Sequence, residues 1–142
     1  MMKLVRYVWT FVGMVVLLTY VSWAGWFSDV QKGLETARKE NKVVVFYFYS
    51  DYCPYCKQVE EFVLSTEDFS NATKNMVFIP LNISSDEGSQ WARKLGVPGV
   101  PTFVVYDPKS DRRLGALFGS RPKGDILNYL KNTCKANNFK TC

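Results

Sequence analysis

Apolar runs and amphipathic segments alternate along the chain after its first 27 residues. The run Val43–Tyr49 consists of β-branched and aromatic residues, and a second apolar run spans Met76–Ile83. Both runs predict strands, and the first run predicts a strand that is buried on both faces and therefore central in its sheet. A third strand is predicted at Thr102–Asp107, where turn residues connect it to a partner strand, Leu114–Phe118, as a hairpin.

Amphipathic segments between these strands predict helices. Residues 28–41 predict a helix capped by Ser28, and Asp86–Leu95 predicts another that ends at Gly96. The remaining predicted helices are Pro54 to about Leu64 with Val59, Phe62 and Val63 facing inward, a short helix near Glu67–Lys74, and Pro122–Lys131. This order of elements predicts an α/β fold in one domain.

The N-terminus has the pattern of a targeting segment. Lys3 and Arg6 precede 22 uncharged residues. Ser22 and Ala24 are small residues with the spacing of a cleavage site, so we expect residues 1–24 to be a signal peptide. The apolar run is also long enough for an uncleaved membrane anchor, the alternative interpretation. In both cases the positive charges before the run predict that the rest of the chain is exported.

Composition limits the chemistry that this chain can perform. The 142 residues contain no histidine, which excludes Ser-His-Asp and Cys-His catalysis, imidazole metal ligation and c-type haem attachment. The formal net charge of +5 includes two charges from the N-terminal segment, so the basic excess is too small to indicate a nucleic-acid partner. We expect one globular domain over residues 25–133, and we expect it to be a monomer.

Four cysteines, Cys53, Cys56, Cys134 and Cys142, are enough for complete pairing. Disulfides persist outside the cytosol, and the short spacings favour the pairs 53–56 and 134–142, although spacing alone does not determine connectivity. We expect the second pair to be a structural disulfide within a C-terminal tail, residues 134–142, that follows the last helix. A resolving or relay role for these two cysteines is the alternative.

Cys53 and Cys56 belong to a Cys-Pro-Tyr-Cys motif at the junction of a buried strand and a helix. A sulfur at a helix N-terminus is stabilised as the thiolate, which lowers its pKa from about 8.5. We therefore expect Cys53 to be accessible and to attack a substrate disulfide, and the less exposed Cys56 to resolve the mixed disulfide. A purely structural role is disfavoured because so small a loop constrains little chain entropy.

A metal site is disfavoured as well. Without histidine, a zinc ion would need all four cysteines, and the spacing between Cys134 and Cys142 is too long for a zinc-binding pair. We expect no metal and no cofactor other than the redox-active Cys53–Cys56 disulfide.

Four motifs together resemble the thioredoxin superfamily. They are the strand Val43–Tyr49, the motif Cys53-Pro54-Tyr55-Cys56, the segment Gly99-Val100-Pro101-Thr102, and Gly119 before the last helix. The match covers about residues 28–133 and is similar to secreted bacterial thioredoxin-like domains, including the C-terminal domain of the transmembrane disulfide reductase. The resemblance implies a thioredoxin-like fold, with a central mixed sheet flanked by helices.

The resemblance also implies which residues bind a substrate. Pro101 is expected to be a cis proline that lies against the cysteine pair. The backbone of Val100, together with Tyr55, is expected to contact an extended substrate segment as in strand addition. Gly119 is expected to line the same groove.

Three positions depart from the usual thioredoxin pattern. Tyr52 replaces the tryptophan before the first cysteine, Tyr47 replaces a buried aspartate, and Pro80 replaces the lysine that partners it. The acid of the proton relay in a fast cytosolic reductant is therefore missing, and the direction of electron flow stays open.

The sequence thus predicts an exported thiol–disulfide oxidoreductase in a periplasmic or other extracytoplasmic location. Reduction of protein disulfides, or electron relay between a redox partner protein and protein thiols, is the first hypothesis. The alternatives are a disulfide oxidant or isomerase, a non-catalytic thioredoxin-fold binding module, and a metallochaperone. Contact with a membrane is expected only through an uncleaved N-terminal anchor.

Overall fold

The computed structural model describes residues 25–140 and residue 142. The predicted signal peptide or anchor, residues 1–24, lies outside the described residues. Among the helices of the described part, none combines the length and the apolar character that a membrane crossing requires.

Five α-helices and four strands form the domain described here. The helices are α1 (Val30–Glu40), α2 (Pro54–Val59), α3 (Glu67–Thr73), α4 (Asp86–Leu95) and α5 (Lys123–Ala136). The strands are β1 (Val44–Tyr49), β2 (Val77–Asn82), β3 (Thr102–Asp107) and β4 (Arg112–Phe118). A π turn, Glu60–Leu64, continues α2.

The four strands form one mixed sheet in the order β2-β1-β3-β4. β1 pairs with β2 in parallel and with β3 antiparallel, and β3 and β4 form the predicted hairpin. β1 is therefore an interior strand, as its continuous apolar run predicted. The register of β1 on β3 places Thr102 opposite Phe48. The segment before β3 therefore lies at the end of the sheet at which β1 also ends.

Alternate residues of β1 contribute to cores on opposite faces of the sheet, because successive strand side chains point to opposite sides. Val45 and Tyr47 belong to the core beneath α2, α3 and α5, whereas Val44, Phe46 and Phe48 belong to the core beneath α1 and α4. The mixed sheet with helices on both faces confirms the predicted fold class.

The N-cap of the first helix lies one residue later in the chain than predicted. Asp29, and not Ser28, is the N-cap, and its carboxylate accepts a hydrogen bond from the Lys32 N–H at 3.2 Å. Asp29 has extended backbone angles, which leave its carboxylate within reach of the free N–H groups of the first turn.

The predicted inward position of Phe62 was wrong. The Ser65 N–H donates to the Glu60 carbonyl at 3.0 Å, a bond that adds one residue to the turn. Val63 and Leu64 consequently follow Val59 into the core, and the Phe62 side chain is 65% exposed.

The last helix is longer than predicted. It continues past Lys131, because Ile126, Leu130 and Cys134 repeat at a spacing of four and are all buried. Cys134 is therefore part of α5 and does not begin a tail after it.

Candidate active site

The cysteine pair lies where β1 ends and α2 begins. Cys53 is the N-cap of α2, with extended backbone angles (φ −105°, ψ 105°), and its Sγ accepts a hydrogen bond from the Cys56 N–H at 3.1 Å. Pro54 occupies the first turn, where its missing N–H leaves no hydrogen bond unmade. The local sequence thus directs an amide donor at the Cys53 sulfur, an arrangement that favours its thiolate once the pair is reduced.

Cys53 and Cys56 form a disulfide with a Cα–Cα distance of 5.2 Å. In this oxidised form the Cys53 residue is 9% exposed and Cys56 is completely buried. The difference has the direction expected of an attacking and a resolving cysteine, although Cys53 is itself largely covered.

The segment that carries Pro101 lies at the same end of the sheet as the cysteine pair. The Val100–Pro101 peptide is cis, as the thioredoxin resemblance implied. Pro101 is buried and Val100 is partly exposed. Because Thr102 lies opposite Phe48, the two residues before β3 lie beside the end of β1, from which the chain continues to Cys53.

A second loop reaches the same place. The Gly119 N–H donates to the Pro101 carbonyl at 2.9 Å, which connects the end of β4 to the cis-proline segment. Gly119 has a φ of +95°, a conformation that side chains with a Cβ rarely adopt. The structure therefore brings together the three segments that the sequence singled out, around Cys53, Pro101 and Gly119.

Tyr47 lies beneath the resolving cysteine. Its side chain is buried, and its hydroxyl donates to the Cys56 carbonyl at 3.4 Å. Burial, with smaller contributions from Glu60 and Tyr49, raises the pKa of the Tyr47 hydroxyl above its usual value. Pro80 is its register partner on β2, so neither member of the usual aspartate–lysine pair is present at these positions.

A cavity of about 370 Å³ opens next to Tyr47. Glu60 lines it, and the Glu60 backbone N–H donates to the same Cys56 carbonyl that accepts from Tyr47. The Glu60 carboxylate also lies 3.8 Å from the Lys57 ammonium in an ion pair that is partly exposed. The lining of the cavity thus includes the Glu60 side chain as well as aromatic rings, next to the helix that carries the resolving cysteine.

Exposed aromatic side chains occur within the cysteine motif, directly before it and at the end of β4. Tyr52 is 97% exposed and Tyr55 is 62% exposed. Phe118, at the end of β4, is half exposed, and its ring lies against Gly99 in the cis-proline segment. Phe118 and Phe62 were missed by the sequence analysis, because each belongs to an element whose other apolar residues face inward.

The other two cysteines also form a disulfide. Cys134 on α5 pairs with Cys142 across a Cα–Cα distance of 6.0 Å. Cys134 is completely buried, and Cys142 and Phe139 pack against the same core. The bond therefore joins the end of the chain to the last helix on the face of the sheet that also carries α2.

Known proteins are similar to this chain in sequence and in fold. The family model described as thioredoxin-like domain matches residues 30–133. Thioredoxin-1 of Drosophila yakuba is 32% identical over 109 residues, which is 77% of this chain and 94% of that protein. The solution structure of a thioredoxin from Thermus thermophilus has a TM-score of 0.72 and 35% identity, and the match covers 81% of this chain and 90% of that one.

A larger protein is also similar over part of its length. The thiol:disulfide interchange protein DsbD of Pseudomonas fluorescens is 26% identical over 112 residues, which is 77% of this chain. The chain spans only 19% of the length of that relative. With the Cys53–Cys56 pair at the start of α2 and the family match over most of the chain, the protein belongs to the thioredoxin-like family and carries the cysteine pair of a thiol–disulfide oxidoreductase.

Proposed function

We propose that this protein is an exported thiol–disulfide oxidoreductase that reduces protein disulfides outside the cytosol or relays electrons to them. The hydrogen bond from the Cys56 N–H to the Cys53 sulfur supports this proposal most directly, because an amide aimed at a sulfur stabilises the thiolate that attacks disulfides. The positions of cis Pro101 and Val100 beside the end of β1 support a groove in which an extended substrate segment pairs with the Val100 backbone.

The reaction begins with the dithiol form of the protein. The Cys53 thiolate attacks one sulfur of a substrate disulfide, a Cys53–substrate disulfide forms, and the other substrate sulfur leaves as a thiolate that takes up a proton. The Cys56 thiol then loses its proton and attacks the Cys53 sulfur, which releases the second substrate thiolate and closes the Cys53–Cys56 disulfide. The substrate gains two electrons and the protein loses two, so a dithiol partner protein must reduce the pair again.

Export is part of the proposal. Lys3 and Arg6 before an uncharged apolar run support passage through a membrane, and the similarity to a protein named thiol:disulfide interchange protein supports exchange between thiols and disulfides. The proposed partners are therefore protein thiols and disulfides, together with a redox partner protein, and the proposed location is the periplasm or its equivalent.

Reduction of insulin by dithiothreitol, followed as turbidity, tests the activity. The wild type is expected to accelerate the reaction, and Cys53→Ser is expected to abolish the acceleration. Cys56→Ser is expected to stop after the first exchange and to leave substrate bound through Cys53, visible on a non-reducing gel. The double variant Cys134→Ala/Cys142→Ala removes the two cysteines outside the motif and is expected to retain the activity. Equal rates for the wild type and Cys53→Ser would contradict the proposal.

The direction of electron flow is tested by the reduction potential of the Cys53–Cys56 pair. Equilibration with defined ratios of oxidised and reduced dithiothreitol or glutathione measures it. Potentials of comparable pairs extend from about −270 mV for reductants to about −120 mV for oxidants. A value in the lower half of this range is expected, and a value near −120 mV would favour the disulfide oxidant.

A further inference from the structure

A surface groove of about 360 Å³ runs beside the active-site helix. One wall is formed by α2 and the π turn, including Val59 and Phe62, and the other by residues 120–122 of the loop before α5 together with Lys123, the first residue of α5. We call this feature the α2 groove.

The α2 groove is formed by segments that adjoin the candidate active site along the chain. Val59 lies three residues after Cys56 on the same helix. Ser120, on the opposite wall, directly follows Gly119, whose N–H donates to the Pro101 carbonyl. The groove is thus built on the helix that carries Cys56 and on the loop that contacts the cis-proline segment.

The wall formed by the helix is apolar. Phe62 is 65% exposed, whereas Val59 and Val63 beside it are buried and form the floor. The π turn is the cause, because it directs Val63 and Leu64 inward and leaves the Phe62 ring toward solvent. An exposed ring on the continuation of the active-site helix provides a contact area for an apolar side chain of a bound segment.

The opposite wall is basic. Arg121 is exposed, and its Nε donates to the Phe118 carbonyl at 3.3 Å. Lys123 is already paired with Asp68 at 2.6 Å, whereas no carboxylate among residues 25–140 and 142 forms an ion pair with Arg121. The Arg121 guanidinium is thus held in place and has terminal nitrogens that can bind a carboxylate in a bidentate way.

The opposite side of the cysteine pair is acidic. Asp51 accepts a hydrogen bond from the Asn82 amide at 3.2 Å, at the end of β2. Glu60 lines the separate cavity beside Tyr47 and Pro80. Glu60 is paired with Lys57, whereas Asp51 has no ion pair within the described residues, so a substrate segment meets a negative charge near the end of β2 and a positive charge after β4.

We propose that the α2 groove selects substrates in which an acidic residue lies close in sequence to the reacting cysteine. In the complex the substrate carboxylate pairs with Arg121, and an apolar neighbour packs on Phe62. This inference rests on the proposed function and adds to it a class of substrate: protein disulfides flanked by acidic and apolar residues.

Synthetic peptides provide the test. Each peptide contains one intramolecular disulfide and differs only in one residue, Glu, Gln or Lys, which is moved through the three positions on each side of one cysteine. The full chain is reduced and desalted, and the second-order rate constant of a single turnover is measured at low salt. At one or more positions the Glu peptide is expected to react about five-fold faster than the Gln peptide. By the conversion of 1.4 kcal/mol per factor of ten, this preference corresponds to about 1 kcal/mol, the upper end for exposed ion pairs.

Variants assign the preference to Arg121. Arg121→Gln is expected to slow the Glu peptide and so bring the Glu-to-Gln ratio close to one, and Arg121→Glu is expected to favour the Lys peptide instead. Lys131→Gln removes one charge from the exposed face of α5 and is expected to leave the ratio unchanged. A ratio near one in the wild type, or a ratio that survives in Arg121→Gln, would overturn the inference and leave the proposed function intact. If no peptide reacted faster with the wild type than with Cys53→Ser, both would fail.

Discussion

The Cys134–Cys142 disulfide is predicted to stabilise the fold without taking part in catalysis. The bond closes a loop with a sequence separation of 8, and its two ends pack on the core beneath α2, α3 and α5. Loss of the bond frees the residues after α5 in the unfolded and in the folded chain, but the unfolded chain gains more conformations. The free energy of unfolding is therefore expected to fall when the bond is broken.

The magnitude follows from the size of the loop. The chain-entropy model gives about 2.5 kcal/mol at 25 °C for a loop of this length. For a domain of this size, the loss corresponds to a decrease of the melting temperature by about 10 °C. Cys134 is completely buried, so a substitution there would add the cost of a cavity to the cost of the lost bond.

The assay separates these two costs. In the Cys53→Ser/Cys56→Ser background, Cys134 and Cys142 are the only cysteines. Urea unfolding of this variant is measured in the oxidised state and after reduction by a phosphine, so that both sulfurs stay in place and only the bond changes. The Cys134→Ala/Cys142→Ala variant, with the active-site pair intact, is compared in the insulin assay.

Two results would refute the reasoning. A difference between the oxidised and reduced states well below about 1 kcal/mol would show that the loop does not constrain the unfolded chain as the model assumes. A strong loss of insulin reduction in the Cys134→Ala/Cys142→Ala variant, at a temperature where it is folded, would favour the relay role instead.

Three further predictions concern the framework of the fold. Gly88→Ala is expected to cost about 2–3 kcal/mol in urea unfolding, because the new Cβ would lie 1.8 Å from a backbone oxygen at the end of β2; the control Gly124→Ala meets no atom within 4 Å and should not destabilise, and equal effects would contradict the prediction. Asp29→Ala is expected to cost about 1 kcal/mol as the loss of a helix cap, and an equal loss in Ser28→Ala would argue against that assignment. Burial raises the pKa of Tyr47 in the folded state, so the contribution of Tyr47 to the free energy of unfolding is fully present below about pH 10 and declines as the pH rises above it. Tyr47→Phe is therefore expected to show a shallower decline of the melting temperature with pH. Identical slopes of melting temperature against pH in the two proteins would refute this linkage.

Most of the elements could be predicted from local patterns. The strand Thr102–Asp107 and the helix Asp86–Leu95 have the predicted bounds, because alternation, helical spacing and a terminal glycine act over a few residues. The errors occurred where packing outweighs local preference. Phe62 faces outward because a π turn follows α2 in place of a further α-helical turn. The helix α5 extends to Ala136 because Cys134 continues the row of buried residues on its inner face.

In the candidate site, too, some residues could be predicted from the sequence and others could not. Cys53 and Cys56 were identified from their spacing alone, and Pro101 was identified from a motif of the family that the sequence resembles. The structure places all three residues at one end of the sheet. The effect of the nearby charges was not predictable. Lys57, Asp51 and Glu60 are all close to the cysteines in sequence, but only the structure shows that Lys57 pairs with Glu60 and that Asp51 accepts a hydrogen bond from Asn82.

The amino-acid sequence by itself determined the order of strands and helices, the reactive pair and its place at the start of a helix, because these depend on neighbours within one or two turns. Only the tertiary structure decided that the Tyr47 hydroxyl reaches the Cys56 carbonyl and that Arg121 stands across a groove from Phe62. Residues far apart along the chain meet there, and their meeting depends on how the sheet, α2 and the loop before α5 pack together.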